Sequence, residues 1–296
     1  MWFGLLGPLC VRQGQKEYPI SGARQRILLA GMIAHAGRPV PQDELGELVW
    51  DGAPPAAAAV TLRSYVARLR RALGPEAGSR LITRNPGYLI DAGEAEVDHL
   101  QFARLCRDGA ASIRTGAWQQ ASDQLTSALA LWRGAPLADV PCQMLLRSEL
   151  PRLEELRMQA LEQRLIADLN LGRHMEIIAE LGQLAAAHPL RERLQGLLML
   201  GLYRAGRQAD ALNIYGQTRA TLVGELGIEP CALLRCIHRQ ILTHDPALES
   251  VDFTGRPAVA RQQAGTSVTK SPQRVPQRTR PPGTSGMDLS RTRRAS

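Results

Sequence analysis

Arginine suits nucleic acid better than any other side chain, because its planar guanidinium meets guanine O6 and N7, or a phosphate, through paired hydrogen bonds. The run Thr61-Leu-Arg-Ser-Tyr-Val-Ala-Arg-Leu-Arg-Arg-Ala-Leu73 carries arginine at 63, 68, 70 and 71. At about 100° per residue, Leu62, Val66, Leu69 and Leu73 fall on one narrow apolar stripe. Ser64, Ala67 and Arg71 take the opposite face, flanked by Arg63, Arg68 and Arg70. A dry stripe backed by a cationic face of small residues is what a helix needs to anchor in a protein and enter a DNA groove. Alone, the run also fits a solvated surface helix with spare arginines. Its neighbours must decide.

Downstream, Leu81-Ile-Thr83 and Tyr88-Leu-Ile90 are β-prone and flank Asn85-Pro86-Gly87. There proline presets φ and glycine tolerates positive φ, which predicts a hairpin with Arg84 at its tip. Upstream, Gly22–Ala36 reads as an amphipathic helix with Ile27, Leu28, Ala30/Gly31 and Ala34 on its stripe. A second helix follows Pro41, with Asp43 and Glu44 near its positive end and Leu45, Leu48 and Val49 inward. Met1–Val11 and Glu17–Ile20 read as short strands. Strands, helix, helix, basic helix and hairpin, in that order, make a winged helix.

Phe3-Gly-Leu-Leu-Gly-Pro-Leu9, Arg26-Ile-Leu-Leu-Ala30, Ala36-Gly-Arg-Pro-Val40, Leu48-Val-Trp50, Thr61–Leu73 and Asn85-Pro-Gly-Tyr88 carry a resemblance. In order and spacing they resemble the OmpR-type winged helix of Streptomyces antibiotic regulatory proteins. No receiver-like segment accompanies them, so we expect a regulator outside the two-component class. On this reading the helix lies in the major groove, with Arg63, Ser64, Ala67 and Arg68 facing base edges. The resemblance implies phosphate contacts from Tyr65, Arg70 and Arg71, while Arg84 on the wing is placed to enter the adjoining minor groove. It further implies double-stranded promoter DNA with tandem direct repeats and a head-to-tail pair of protein chains. It also implies contact with RNA polymerase holoenzyme through the loop Trp50, Asp51, Gly52, Ala53, Pro54 and Pro55 and through the helices that follow.

Charge is distributed unevenly. Residues 1–92 hold 11 basic and 7 acidic side chains, residues 93–246 hold 16 and 18, and residues 247–296 hold 9 and 3. The two ends, and not the middle, can attract a polyanion. Only Lys16 and Lys270 are lysines, a bias that genome composition explains as well as physics. The five cysteines have no CxxC spacing, which suits a reduced, cytoplasmic protein. Cys231 and Cys236 lie about 140° apart on a helix, so no zinc site is expected. Met1–Cys10 mimics a short lipoprotein signal, yet it has no preceding cation and has leucine before the cysteine. A buried first strand explains it better. No run reaches the roughly 18 apolar residues of a membrane span.

From Val97 on, helical periods take over. Ala117–Trp132 puts Ala121, Leu125, Ala128/Leu129 and Trp132 on one side. Leu171–Leu181 and Ala205–Tyr215 align at a 34-residue offset, with Gly172 over Gly206, Arg173 over Arg207, Glu176 over Asp210, Ile178 over Leu212 and Leu181 over Tyr215. That is the tetratricopeptide period of helix, glycine turn, helix. Small residues such as Ala209 and Ala211 are expected to let helices approach, and Thr115–Trp118 to open an earlier, divergent unit. Stacked repeats of this kind leave a concave face for partners. Gly196 and Gly201 fall inside a helix, implying either close packing or a soft repeat. Ala130-Leu-Trp-Arg-Gly134, Glu149–Glu155, His188-Pro-Leu-Arg-Glu192, Leu198-Met-Leu200, Leu202–Gln208 and Glu225–Pro230 resemble the bacterial transcriptional activation domain of the same regulators. Thr254–Ser296 is rich in Arg, Pro, Gln, Gly, Ser and Thr, and is expected to be disordered.

No P-loop, dinucleotide fingerprint, His-Glu-x-x-His or Gly-x-Ser-x-Gly occurs, and the six histidines are scattered. No catalysis, cofactor or metal is expected. The fold expected is mainly α with a small β component. It comprises a winged helix-turn-helix at 1–92, a tetratricopeptide-like all-α domain at 97–246 and a disordered basic tail at 247–296. The function expected is that of a cytoplasmic, nucleoid-associated activator of antibiotic-biosynthesis genes. Two rivals remain: a helical-repeat scaffold whose winged helix binds protein, and a DNA-binding repressor.

Overall fold

The computed structural model describes residues 1–250. Strands β1 (Trp2–Gly4), β2 (Cys10–Gln13) and β3 (Lys16–Glu17) form an antiparallel sheet in that order. Helices α1 (Ala23–Ala34), α2 (Gln42–Val49) and α3 (Ala58–Ala72) follow. The wing is β5 (Leu81–Arg84) and β6 (Gly87–Ile90), and a two-residue strand β4 (Val40–Pro41) makes its sheet three-stranded in the order β4-β6-β5. The winged helix anticipated from sequence is therefore present.

Two local expectations need correcting, and one short helix is new. The third helix begins at Ala58, before Thr61, because Ala56–Ala59 is the strongest helix-forming run nearby. Gly74-Pro75 ends it at Leu73 but then opens a short helix, α4 (Gly74–Ser79), with the proline in its first turn. Gly87 has no positive φ. It lies in β6 with its Cα against the Val40 carbonyl of β4, where any Cβ would collide with backbone. Close approach of two strands, not turn geometry, requires that glycine.

Beyond a 3-10 turn at Glu94–Glu96 come α5 (Asp98–Thr115), α6 (Trp118–Leu129), α7 (Gln143–Asn170), α8 (His174–Ala187), α9 (Glu192–Arg204), α10 (Gln208–Leu226) and α11 (Ala232–Leu242). The repeat reading holds at atomic detail. Gly172 (φ 78°) and Gly206 (φ 75°) both take the left-handed conformation that closes a helix. In each turn the glycine N–H donates three residues back, Gly172 to Leu169 and Gly206 to Tyr203, and the next N–H donates five back, Arg173 to Asp168 and Arg207 to Leu202. Gly116 (φ 75°) repeats the pattern, with bonds to Ile113 and from Ala117 to Ser112, so Thr115–Trp118 opens an equivalent unit. Ala211 is buried as expected, whereas Ala209 is exposed and separates nothing. At Gly201 an added Cβ would meet Ile178, Leu169 and Leu181 at 3.6–3.7 Å, ordinary contact distance, so close packing does not demand that glycine.

The winged helix and the helices after it share one compact unit. A core of Phe3, Leu28, Leu45, Leu62 and Leu69 also takes in Leu137, Val140, Cys142 and Leu145, from the segment leading into α7. Asp98 is fully buried and accepts from the Leu5 and Leu6 amides at 2.9 and 2.8 Å. Burial pushes its carboxyl pKa upward, against those hydrogen bonds and nearby Arg133. The Leu137 amide donates to the Leu5 and Gly7 carbonyls, Arg133 N–H to Leu6, and Asp139 takes both the Leu9 amide and the Arg26 guanidinium. His99 is buried, and burial followed by neighbouring Arg152 lowers its pKa to about 4, leaving a neutral ring.

A 3-10 turn at Pro246–Ser250 ends the described residues, with Leu248 buried and its carbonyl bound by Arg204. The fold thus runs past residue 247. The expected disordered stretch Thr254–Ser296 lies outside the described residues. Among the described residues no helix is long and apolar enough to cross a membrane, and no group of three or more His, Cys, Asp or Glu could hold a metal ion.

Candidate nucleic-acid interface

The stripe of α3 is fixed by packing. Leu62, Val66, Leu69 and Leu73 are all essentially inaccessible in the core beneath α1 and α2. This sets the rotation of the helix, so the remaining positions face outward without further adjustment. Arg63, Ser64, Ala67 and Arg68, the four positions read as base-facing, are all exposed. Arg63 Nε and Ser64 Oγ make only long bonds, each 3.4 Å, to carbonyls of their own helix. Arg68, Arg71 and Arg84 make no ion pair or hydrogen bond among the described residues. Arg70 and Arg71 sit in the last turn of α3, where a cation complements the helix dipole.

The three positions assigned to phosphate differ in kind. Arg71 is exposed and untied. Tyr65 is half-buried, its ring stacked on Trp50 with centroids 6.3 Å apart at 28°. Arg70 is committed within the protein: Nε and Nη2 donate to the Leu81 carbonyl at 3.0 and 2.6 Å, and Nη2 also to Thr83 Oγ at 3.0 Å. Arg70 thereby bolts α3 to the wing. Sequence alone does not reveal this, since Arg70 and Arg71 look alike until the hairpin is folded against one of them.

Arg84 closes β5 opposite Gly87, at the tip of the wing. Sequence reasoning missed Arg24, whose guanidinium lies 5.6 Å from the centroid of the Trp50 ring that also stacks with Tyr65. One signal was available. Arg24 stands in the first turn of α1, a turn with no acidic residue, where the helix dipole disfavours a cation. The loop Trp50–Pro55 follows directly: Asp51, Gly52, Ala53, Pro54 and Pro55 are exposed, and Trp50 is half-buried beneath them. The outer face of α3, the wing tip and the loop are thus all presented to solvent on a single folded frame.

Comparison with known proteins matches this architecture. Residues 97–242 match the family described as bacterial transcriptional activator domain, and residues 18–90 that described as transcriptional regulatory protein, C terminal. The chain is 35% identical over 257 residues to regulatory protein DnrI of Streptomyces peucetius, covering 84% of this chain and 94% of that protein. It is 37% identical over 283 residues to regulatory protein AfsR of Streptomyces coelicolor, but spans only 28% of it. Among solved structures it is similar to Mycobacterium tuberculosis EmbR in complex with low affinity phosphopeptide, with a TM-score of 0.79 and 33% identity. That likeness covers 84% of this chain and 67% of the other.

Proposed function

Because the chain belongs to the family of Streptomyces antibiotic regulatory proteins, DNA-binding transcriptional activators that join an OmpR-type winged helix to a bacterial transcriptional activator domain, we propose how its own residues carry that activity. Helix α3 enters the major groove and Arg63, Ser64, Ala67 and Arg68 meet base edges, the arginines reading guanine. Arg71 and Tyr65 meet phosphate. Arg70 has one guanidinium nitrogen left to do so and spends the others holding the wing. Arg84 enters the next minor groove, most readily where an A·T stretch narrows it. Two chains bind head to tail on tandem direct repeats in promoters of antibiotic-biosynthesis genes. The loop Trp50–Pro55 and the helical domain contact RNA polymerase holoenzyme. The protein works in the cytoplasm, at the nucleoid. Residues 1–92 read DNA and residues 97–246 serve activation.

The observation that carries this reading is the set of guanidinium groups left without internal partners on α3 and at the wing tip. Arg68, Arg71 and Arg84 bind nothing within the described residues, and Arg63 makes only one long bond, to a carbonyl of its own helix. Footprinting on the promoters of the chain's own and neighbouring genes, with and without polymerase, tests it. We expect protected direct repeats at low salt, extended toward the polymerase when it is added. An absence of any protected repeat at low salt would falsify the assignment.

A further inference from the structure

The loop between α2 and α3 is held in shape by a helix of the other domain. Asp51 has φ 50°, a left-handed conformation that aspartate tolerates better than most residues but still with strain. Its Oδ1 accepts the amide of Met144 at 3.1 Å, in the first turn of α7. That helix is 28 residues long, has no acidic residue in its first turn, and is capped locally only by the Cys142 sulfur, 3.4 Å from the Leu145 amide. The same Cys142 thiol donates to the Leu48 carbonyl at the end of α2, at 3.3 Å. Gly52 (φ 89°), whose amide bonds back to Glu47, follows immediately, beside the Met144 sulfur.

We propose that Asp51 is a positioning residue. Its carboxylate caps α7 from outside that helix, and the bond fixes the Trp50–Pro55 loop to the activation domain. Helix N-termini favour a carboxylate both as hydrogen-bond acceptor and as countercharge to the dipole. Here the winged helix supplies it, so the loop keeps its strained start only while α7 is seated against it. A consequence follows for signalling, and this part rests on the polymerase-facing reading of the loop. Whatever shifts the first turn of α7 also changes the surface offered to polymerase, while α3 and the wing are untouched.

The test uses the full chain and three variants. Asp51→Gly removes the acceptor but keeps left-handed backbone accessible. Asp51→Asn keeps an acceptor and the conformation without charge, and Asp51→Ala removes both. Amide exchange at Met144 and across residues 51–55 is read in the free protein, beside DNA affinity and polymerase-dependent promoter occupancy. Loss of a cap corresponds to roughly fivefold faster exchange in Asp51→Gly and more in Asp51→Ala, with Asp51→Asn close to the parent. DNA affinity is expected to stay within about twofold throughout, as none of the phosphate or base contacts is altered. Unchanged exchange in Asp51→Gly overturns the positioning role whatever polymerase does. Faster exchange with undiminished polymerase-dependent occupancy leaves the pin standing and overturns instead the reading of the loop as a polymerase contact.

Discussion

One set of arginines on the winged helix and another in the helical domain use the same side chain in opposite ways. On α3 and the wing, Arg68, Arg71 and Arg84 extend into solvent with no partner among the described residues. In the helical domain, Arg164 and Arg173 close on Asp168, Arg191 reaches Glu155 and Glu162, and Arg219 makes a two-pronged contact with Glu229. The first set is a charge waiting for a counterion; the second has already found one. Counting arginines therefore says little about nucleic-acid binding. What matters is whether each guanidinium has been neutralised before the ligand arrives.

Substitutions in the two sets should fail in different assays, and the largest effect is expected in the tied set. Asp168 is buried and receives Ser122 Oγ at 2.7 Å, Arg173 at 3.2 Å and Arg164 at 3.4 Å. Asp168→Ala takes one acceptor from each of two guanidinium groups, which keep Glu180 and Gln119, and from the Ser122 hydroxyl, and should lower unfolding free energy by about 2–3 kcal/mol in denaturant titrations. The salt dependence of DNA binding by the protein that remains folded should not change. In the free set, Arg68→Ala should leave stability within about 0.5 kcal/mol. It should weaken binding by about 1–3 kcal/mol and relax preference at one base position in a binding-site selection. A sequence-blind loss there would erase the distinction between base-facing and phosphate-facing arginines.

Arg70 belongs to both sets and so sharpens the contrast most. Arg70→Ala removes three donated hydrogen bonds to the wing. Stability should fall by about 1 kcal/mol, and the weakening of DNA binding should be shared by all sequences. Arg71→Ala should leave stability unchanged, weaken binding to all sequences alike and lower the salt slope by about one counterion. If the two variants prove indistinguishable in thermal denaturation, the wing bolt has no energetic weight. The smallest effect is a gain. Gly201→Ala fits its surroundings at ordinary contact distance and should stabilise α9 by about 0.5–1 kcal/mol, without touching DNA affinity.

Legibility from sequence followed the range of the interactions. The α3 stripe, the wing and the paired turns at Gly172 and Gly206 were readable because periodicity, turn chemistry and a 34-residue spacing are all local patterns. What could not be read depends on chain brought from far away. Gly87 is needed because Val40 crosses it, Arg70 is occupied because Leu81 folds back onto it, and Asp51 caps a helix that starts 92 positions later, at Gln143. The exposure of the arginines at 63, 68 and 71 was readable because burial of four apolar residues leaves the opposite face of α3 no choice, and that of Arg84 because it sits at a hairpin tip. The role of Arg70 needed the folded hairpin.

The segment from Arg133 to Leu145 has an implication for how such a protein is made and recombined. Leu5, Leu6 and Leu9 wait for Asp98, Arg133, Leu137 and Asp139 to complete their hydrogen bonds, and the core under α3 waits for Val140, Cys142 and Leu145. A chain emerging vectorially from the ribosome cannot finish its DNA-reading module when residue 92 appears. It must hold that module open until more than 50 further residues have been synthesised. For the same reason, grafting this reading head onto another regulator calls for a crossover beyond Leu145, since an exchange at the apparent boundary would leave the donor's first strand without the carboxylate that closes it.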